Sequence, residues 1–343
     1  MKRRVLVLAL LVLVGTTTAG IYYWPDYKKH QLLSEAEHAR AAGNLAKADE
    51  LLIKLIRLDP GNARAHFLRA QVLRGLGQSS DAMLYLNHSA ELGYPVPEGR
   101  REYGLLFAPY DFSLAEGALQ KVLEQTPDDK EVLEALALGY LRTHRPRSAE
   151  KQLKHLLELE AENADNMLKL GEVYLETFRP AQAVPILRQL VRLAPGNFRA
   201  RLLLGQSLMA DGYMAEAEAE LLECRNMRPD NPDPLVGLAA CAMERNDTEK
   251  AWTLLSKAHD LDRSSTLALN DIGNLHLLRR RYDLAIQTFE AVLRLNKDDK
   301  QAHLHLAMAY RSTGKMDLAV KHQTRYQELD QAEASRLELH GER

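Results

Sequence analysis

ADNMLKLGEVYLETFRPAQAVPILRQLVRLAPGN, running from Ala164 to Asn197, decides the fold. Met167, Leu170, Gly171 and Tyr174 recur at helical spacing, as do Ala183, Leu187 and Leu190, and Pro195-Gly196-Asn197 closes the second run. The stretch therefore reads as two amphipathic helices joined by a turn. Gly171 and Ala183 are small where the helices must approach closely, and Pro195 stands where the second helix has to stop, because proline cannot continue the hydrogen-bond ladder. Such a pair cannot bury its apolar face alone and has to be stacked on copies of itself.

The copies are present. Ala48, Ala82, Ala115, Ala149, Ala183, Ala217, Ala251, Ala285 and Ala319 follow one another every 34 residues, with a single step of 33 before Ala115. Pro60, Pro127, Pro195 and Pro229 keep the same phase at the end of the unit. A helix-turn-helix period of 34 with Leu170-Gly171, Tyr174, Ala183 and Pro195, repeated in Leu204-Gly205, Ala217 and Pro229, resembles the tetratricopeptide repeat. The family's tryptophan in the first helix is absent from every copy, and its large aromatic in the second helix survives only as Phe289. The resemblance implies an all-α, right-handed superhelical solenoid of about nine repeats over residues 29–333, with a polar tail over 334–343.

Departures from the pattern carry their own expectations. Tyr94-Pro95-Val96-Pro97, the two glycines Gly99 and Gly104 and the missing residue mark Pro95 to Asp111 as a flexible joint. Pro146 and Pro180 suit the first turn of second helices, where a missing amide does no harm, whereas Pro185 predicts a kink or a late start. Arg263 and Lys297 replace the closing proline, which predicts longer second helices with less abrupt ends. Gln331 to Arg343 is mostly polar and reads as a solvating extension of the last helix.

Residues 1–24 differ from the rest. Lys2, Arg3 and Arg4 precede an apolar run, and Val5 to Trp24 spans 20 residues, enough for a helix to cross roughly 30 Å of hydrocarbon. Tyr22, Tyr23 and Trp24 suit an interface, and the cations predict a cytoplasmic N-terminus with the repeats exported from a single-pass transmembrane helix. Residues 25–28 then form a linker. The alternative is a cleavable signal peptide ending near Thr17-Thr18-Ala19, which would leave a secreted or periplasmic adaptor.

Chemistry is sparse. A net charge of −2 gives no basic face for nucleic acid, and no phosphate loop, zinc helix, paired CxxC or nucleophile elbow is present, so no enzyme activity, cofactor or metal is expected. His303 and His305 point about 200° apart on a helix and cannot share a metal. Cys224 and Cys241 sit in adjacent layers and read as small buried apolar residues, with a bridge left open.

In the resembling family the first helices line a concave groove. By phase, its positions here are Leu168, Glu172 and Leu175, then Leu202, Gln206 and Met209, then Val236 and Met243, then Asn270, Asn274 and Leu277. The leucine and methionine stripe fits either core packing or adaptable peptide binding, and Asn270 and Asn274 are similar to asparagines that hold a ligand's backbone in some members. Gln301 and His305 stand where a clamp for an acidic tail would want cations. The expected function is a non-catalytic interaction scaffold for a protein or peptide, tethered to a membrane and serving an envelope assembly or secretion system. Its alternatives are the exported adaptor or the regulatory subunit of a membrane enzyme complex.

Overall fold

The computed structural model of the protein describes residues 26–339, and every regular element among them is an α-helix. Helix α1 covers 26–41, and α2 (Leu45–Leu58), α3 (Ala63–Gly75), α4 (Ser79–Glu91), α5 (Val96–Phe107) and α6 (Phe112–Leu123) follow. Next come α7 (Lys130–Arg142), α8 (Pro146–Leu159), α9 (Ala164–Glu176), α10 (Pro180–Leu193), α11 (Phe198–Ala210) and α12 (Met214–Met227). The array ends with α13 (Asp233–Glu244), α14 (Thr248–Leu261), α15 (Thr266–Leu278), α16 (Tyr282–Leu295), α17 (Lys300–Ser312) and α18 (Met316–Leu339). Odd-numbered helices are the first of each repeat and even-numbered helices the second, the arrangement of a tandem-repeat solenoid.

Packing explains the alanine ladder, since all nine alanines are buried. Glycines of the first helices receive side chains of the second: a Cβ on Gly171 would lie 2.6 Å from Leu187 Cδ2, and one on Gly205 2.9 Å from Leu221 Cγ. Close approach of this kind tolerates no extra carbon.

Helix ends keep the same period. The side chains of Asn62, Asp129, Asn163, Asn197, Ser265 and Asp299 each accept the backbone amide three residues ahead, capping the first helix of their repeats. After that helix the chain takes a left-handed residue, at Gly43, Gly77, His144, Phe178, Gly212, Asn246, Arg280 and Gly314, which satisfies its last carbonyls and reverses direction.

Several expectations need correction. The second helices that lack a closing proline are no longer than the others: α14 and α16 have 14 residues, as do α10 and α12. Asp262 and Asn296 end them instead, each side chain accepting the amide two residues on, at 2.9 Å for Ser264 and 3.2 Å for Asp298. An Asx turn thus does the work of proline. Pro185 does not delay its helix either, because α10 starts at Pro180 and continues through it. Pro146 and Pro180 occupy first helical turns as expected.

The single-pass membrane localisation is also corrected. Among the described residues no helix is long and apolar enough to cross a membrane. Residues 5–24, on which that expectation and the signal-peptide alternative rested, lie outside the described residues.

The chain divides into two compact units, Met1–Gly139 and Tyr140–Arg343. In the second, the first helices α9, α11, α13, α15 and α17 touch one another in turn, while no second helix touches the next among the described residues. Rows spaced in this way put the first helices on the inner side of that unit. In the first unit α3 and α5 make the same kind of contact.

Candidate functional site

The row of first helices in the second unit carries the expected groove residues. Leu168, Glu172 and Leu175 on α9, Gln206 and Met209 on α11, Met243 on α13, and Asn270, Asn274 and Leu277 on α15 are all half-buried. Leu202 and Val236 are buried, and belong to the packing between helices, not to an accessible surface. Val236 belongs to a buried cluster that includes Ala251 and Leu255 of α14 and Ala268 and Leu275 of α15, an association that periodicity within one helix does not reveal. Glu172 is engaged across repeats by Arg199, at 3.1 Å.

The polar end of the row is concentrated around α15 and α17. Asp299, the cap of α17, accepts the Ala302 amide at 2.8 Å and lies 3.4 Å from Asn270 Nδ2. Asn270 Oδ1 is buried and has no hydrogen-bond partner among the described residues. His305 approaches from α17 with its ring 5.2 Å from that of the fully buried Phe289, and its Nδ1 is likewise buried without a partner. Burial lowers the pKa of the His305 imidazole, opposed by the Asp299 carboxylate.

Asp271 completes this cluster, and the sequence reading passed over it. Burial pushes its carboxyl up to about 6, opposed by a hydrogen bond from Asn274. The signal was available: the same phase holds Lys169, Leu203 and Gly237 in the preceding repeats, so a carboxylate there is out of pattern. Asn270, Asp271, Asn274 and His305 together offer amide donors and acceptors beside a carboxyl that titrates just below neutrality. Such a set hydrogen-bonds a polar chain.

His303 is buried, and its partner is His322 of α18, with Nδ1 to Nδ1 at 2.9 Å. His303 Nε2 lies 3.0 Å from the Lys297 carbonyl and must donate to it, which leaves Nδ1 to accept the His322 proton. Cys224 and Cys241 are free and buried, as the apolar reading held. Among the described residues no three His, Cys, Asp or Glu side chains converge as a metal site would need.

Comparison with known proteins agrees with this architecture. The tetratricopeptide repeat family model matches residues 33–92, 168–232 and 270–334, more than half of the chain. No curated protein sequence matches it. Among solved structures, it is similar to YrrB, a protein with an unusual peptide-binding site, at 20% identity over 65% of this chain and 97% of that one, TM-score 0.42. Yeast Tom70 is 15% identical over 97% of this chain and 94% of its own, TM-score 0.47. A human IFIT1 dimer with m7Gppp-AAAA is 21% identical over 78% of this chain and 68% of its own, TM-score 0.49. Likeness at this level says nothing about ligands.

Proposed function

We propose that this chain, which belongs to the tetratricopeptide repeat family, is a non-catalytic scaffold holding a protein or peptide segment along the first helices of its second unit. One observation carries the reading. Half-buried leucines and methionines on α9, α11 and α13 lead to an amide, Asn270, whose buried Oδ1 lacks a donor. A buried acceptor left unpaired costs free energy, roughly 1 to 3 kcal/mol, which favours rotation of the half-buried Asn270 side chain to meet a backbone N–H of a bound segment. Leu168, Leu175, Met209, Met243 and Leu277 give that segment apolar seats, and methionine adapts its shape to more than one side chain. Asn274 and Gln206 add polar contacts that fix its register, and Glu172 stays tied to Arg199.

The test is selection of random dodecapeptides displayed on phage against the purified chain, followed by calorimetry on the selected peptides. Met209→Lys and Leu277→Lys place a charge on an apolar seat, and Asn270→Ala removes the backbone-facing amide. Each is expected to weaken binding at least tenfold. Selected peptides that bind all three variants as well as the parent would remove the groove from consideration.

A further inference from the structure

The third repeat contains a cavity that the others do not have reason to form. One position near the start of the first helix carries a buried side chain in other repeats, as Ala65, Val132, Ala200, Ala268 and Ala302 show. At that phase α5 has Gly99, and a Cβ built on it would meet nothing within 4 Å. At the next position His66, Leu133, Met167, Leu235, Leu269 and His303 are buried; α11 has Arg201, which pairs with Glu220 at 2.6 Å, and α5 has Arg100. Two core side chains are thus replaced by open space and a cation. The result is a cavity of about 300 Å³ between α4, the turn after it and the first half of α5.

Its walls are apolar and held in place. Leu86 of α4, Tyr94 of the turn, and Val96 and Tyr103 of α5 line it. The Tyr94 ring stacks on Phe67 with centroids 4.1 Å apart, and Tyr103 packs on Phe107 at 4.5 Å. Arg100 also lines the cavity, and among the described residues it makes no ion pair or side-chain hydrogen bond. Acids beside α5 are mostly taken by other arginines, since Arg74 binds Glu102 and Glu131 and Arg101 binds Asp129 and Glu131, while Glu98, whose charge reaches Tyr94, makes no ion pair among the described residues. A half-buried guanidinium without an anion is free to take one, and its planar fork matches a carboxylate in two parallel hydrogen bonds. One cation balances one negative charge, which favours a carboxylate over a phosphate dianion.

We propose that this cavity binds a monocarboxylic acid with an apolar body, the carboxylate on Arg100 and the body between Tyr94 and Tyr103. The site is separate from the groove, whose residues lie on α9 to α15. Its volume is that of a small-ligand pocket, at the lower end of the usual range. The same chemistry comes from two sources, a free acid or the C-terminal residue of a peptide.

The experiment uses the full chain with 3-phenylpropionate and octanoate, the uncharged 3-phenylpropanol, and an acetylated peptide ending in Phe together with its C-terminal amide. Binding is followed by ligand-observed NMR and calorimetry. Saturable binding of the free acids, or of the peptide acid and not its amide, is expected and tells the two sources apart. Arg100→Gln should weaken acid binding at least tenfold while leaving the alcohol unchanged. Gly99→Leu fills the cavity and should abolish both; its circular dichroism should match the parent and its melting temperature should be no lower, because nothing occupies that space and leucine suits a helix better than glycine. Absence of saturable binding by any acid overturns the proposal, as does acid binding that survives both substitutions.

Discussion

Gly273→Ala adds one carbon at the most crowded crossing of the second unit. The new Cβ would lie 2.5 Å from Cε1 and Cζ of Phe289 and 3.0 Å from Cδ1, about 1 Å inside normal carbon contact. Phe289 is fully buried with its ring against His305, so it has no free space into which to turn. Overpacking of this kind costs roughly 1 to 3 kcal/mol, and the better helix propensity of alanine returns about 1. A net loss of up to about 2 kcal/mol is expected. Gly117→Ala makes the same chemical change in the middle of α6, where the position is exposed and a Cβ meets nothing within 4 Å, so only the propensity gain of about 1 kcal/mol remains. Repeat arrays unfold in parts, so urea melts should be paired with hydrogen exchange of amides in α15 and α16 for the first variant and α6 for the second. Phe289→Leu, which restores the leucine seen at Leu187, Leu221 and Leu255, should relieve the loss in a double-mutant cycle. Gly273→Ala gaining as much stability as Gly117→Ala, or Gly117→Ala less stable than the parent, would refute the packing argument.

Asp271 gives a pH signature. Its folded carboxyl titrates at about 6 against roughly 3.9 unfolded, so the folded state holds the proton more tightly, and stability present below about pH 4 is lost as pH rises through 6. Asp271→Asn should be the more stable protein at pH 7 by up to about 2 kcal/mol, with the gap closing by pH 4; a gap that does not change with pH refutes the assignment. The thiols of Cys224 and Cys241 are buried, and burial pushes Cys224 up to about 11 and raises Cys241 too, so both should resist a disulfide reagent until the chain is unfolded. Rapid labelling of the native protein would contradict this. Phe178 holds a left-handed φ of 55° while 91% exposed, so Phe178→Gly should raise the melting temperature, and Gly212→Ala, at φ 87°, should lower it. Each shift corresponds to about 0.5 to 1 kcal/mol, and equal melting curves would argue against backbone strain at these turns.

The repeat architecture was legible from residue spacing. Alanine at Ala48 and each later step, proline at Pro146 and Pro180, and glycine at Gly171 and Gly205 act through their own backbone and the helix beside them, so a linear pattern records them. Turn chemistry was only half legible. Asp262 and Asn296 end their helices by a local side-chain bond, yet the reading looked for proline alone and expected longer helices. Aspartate and asparagine serve many roles, and only the backbone geometry says which.

Which face is sealed, and by what, was settled by tertiary structure. Leu202 and Leu168 share a phase, but one is buried and the other half-buried. His303 and His305 are two residues apart in the chain, yet one finds His322 and the other Phe289, because each points to a different helix of the stack. The cavity beside Gly99 depends on the absence of a side chain between two helices and on Arg100 being left without an acid. A sequence specifies which side chains a helix presents; whether a presented group is buried, paired or open depends on partners a repeat away, and those distances exist only once the helices have packed.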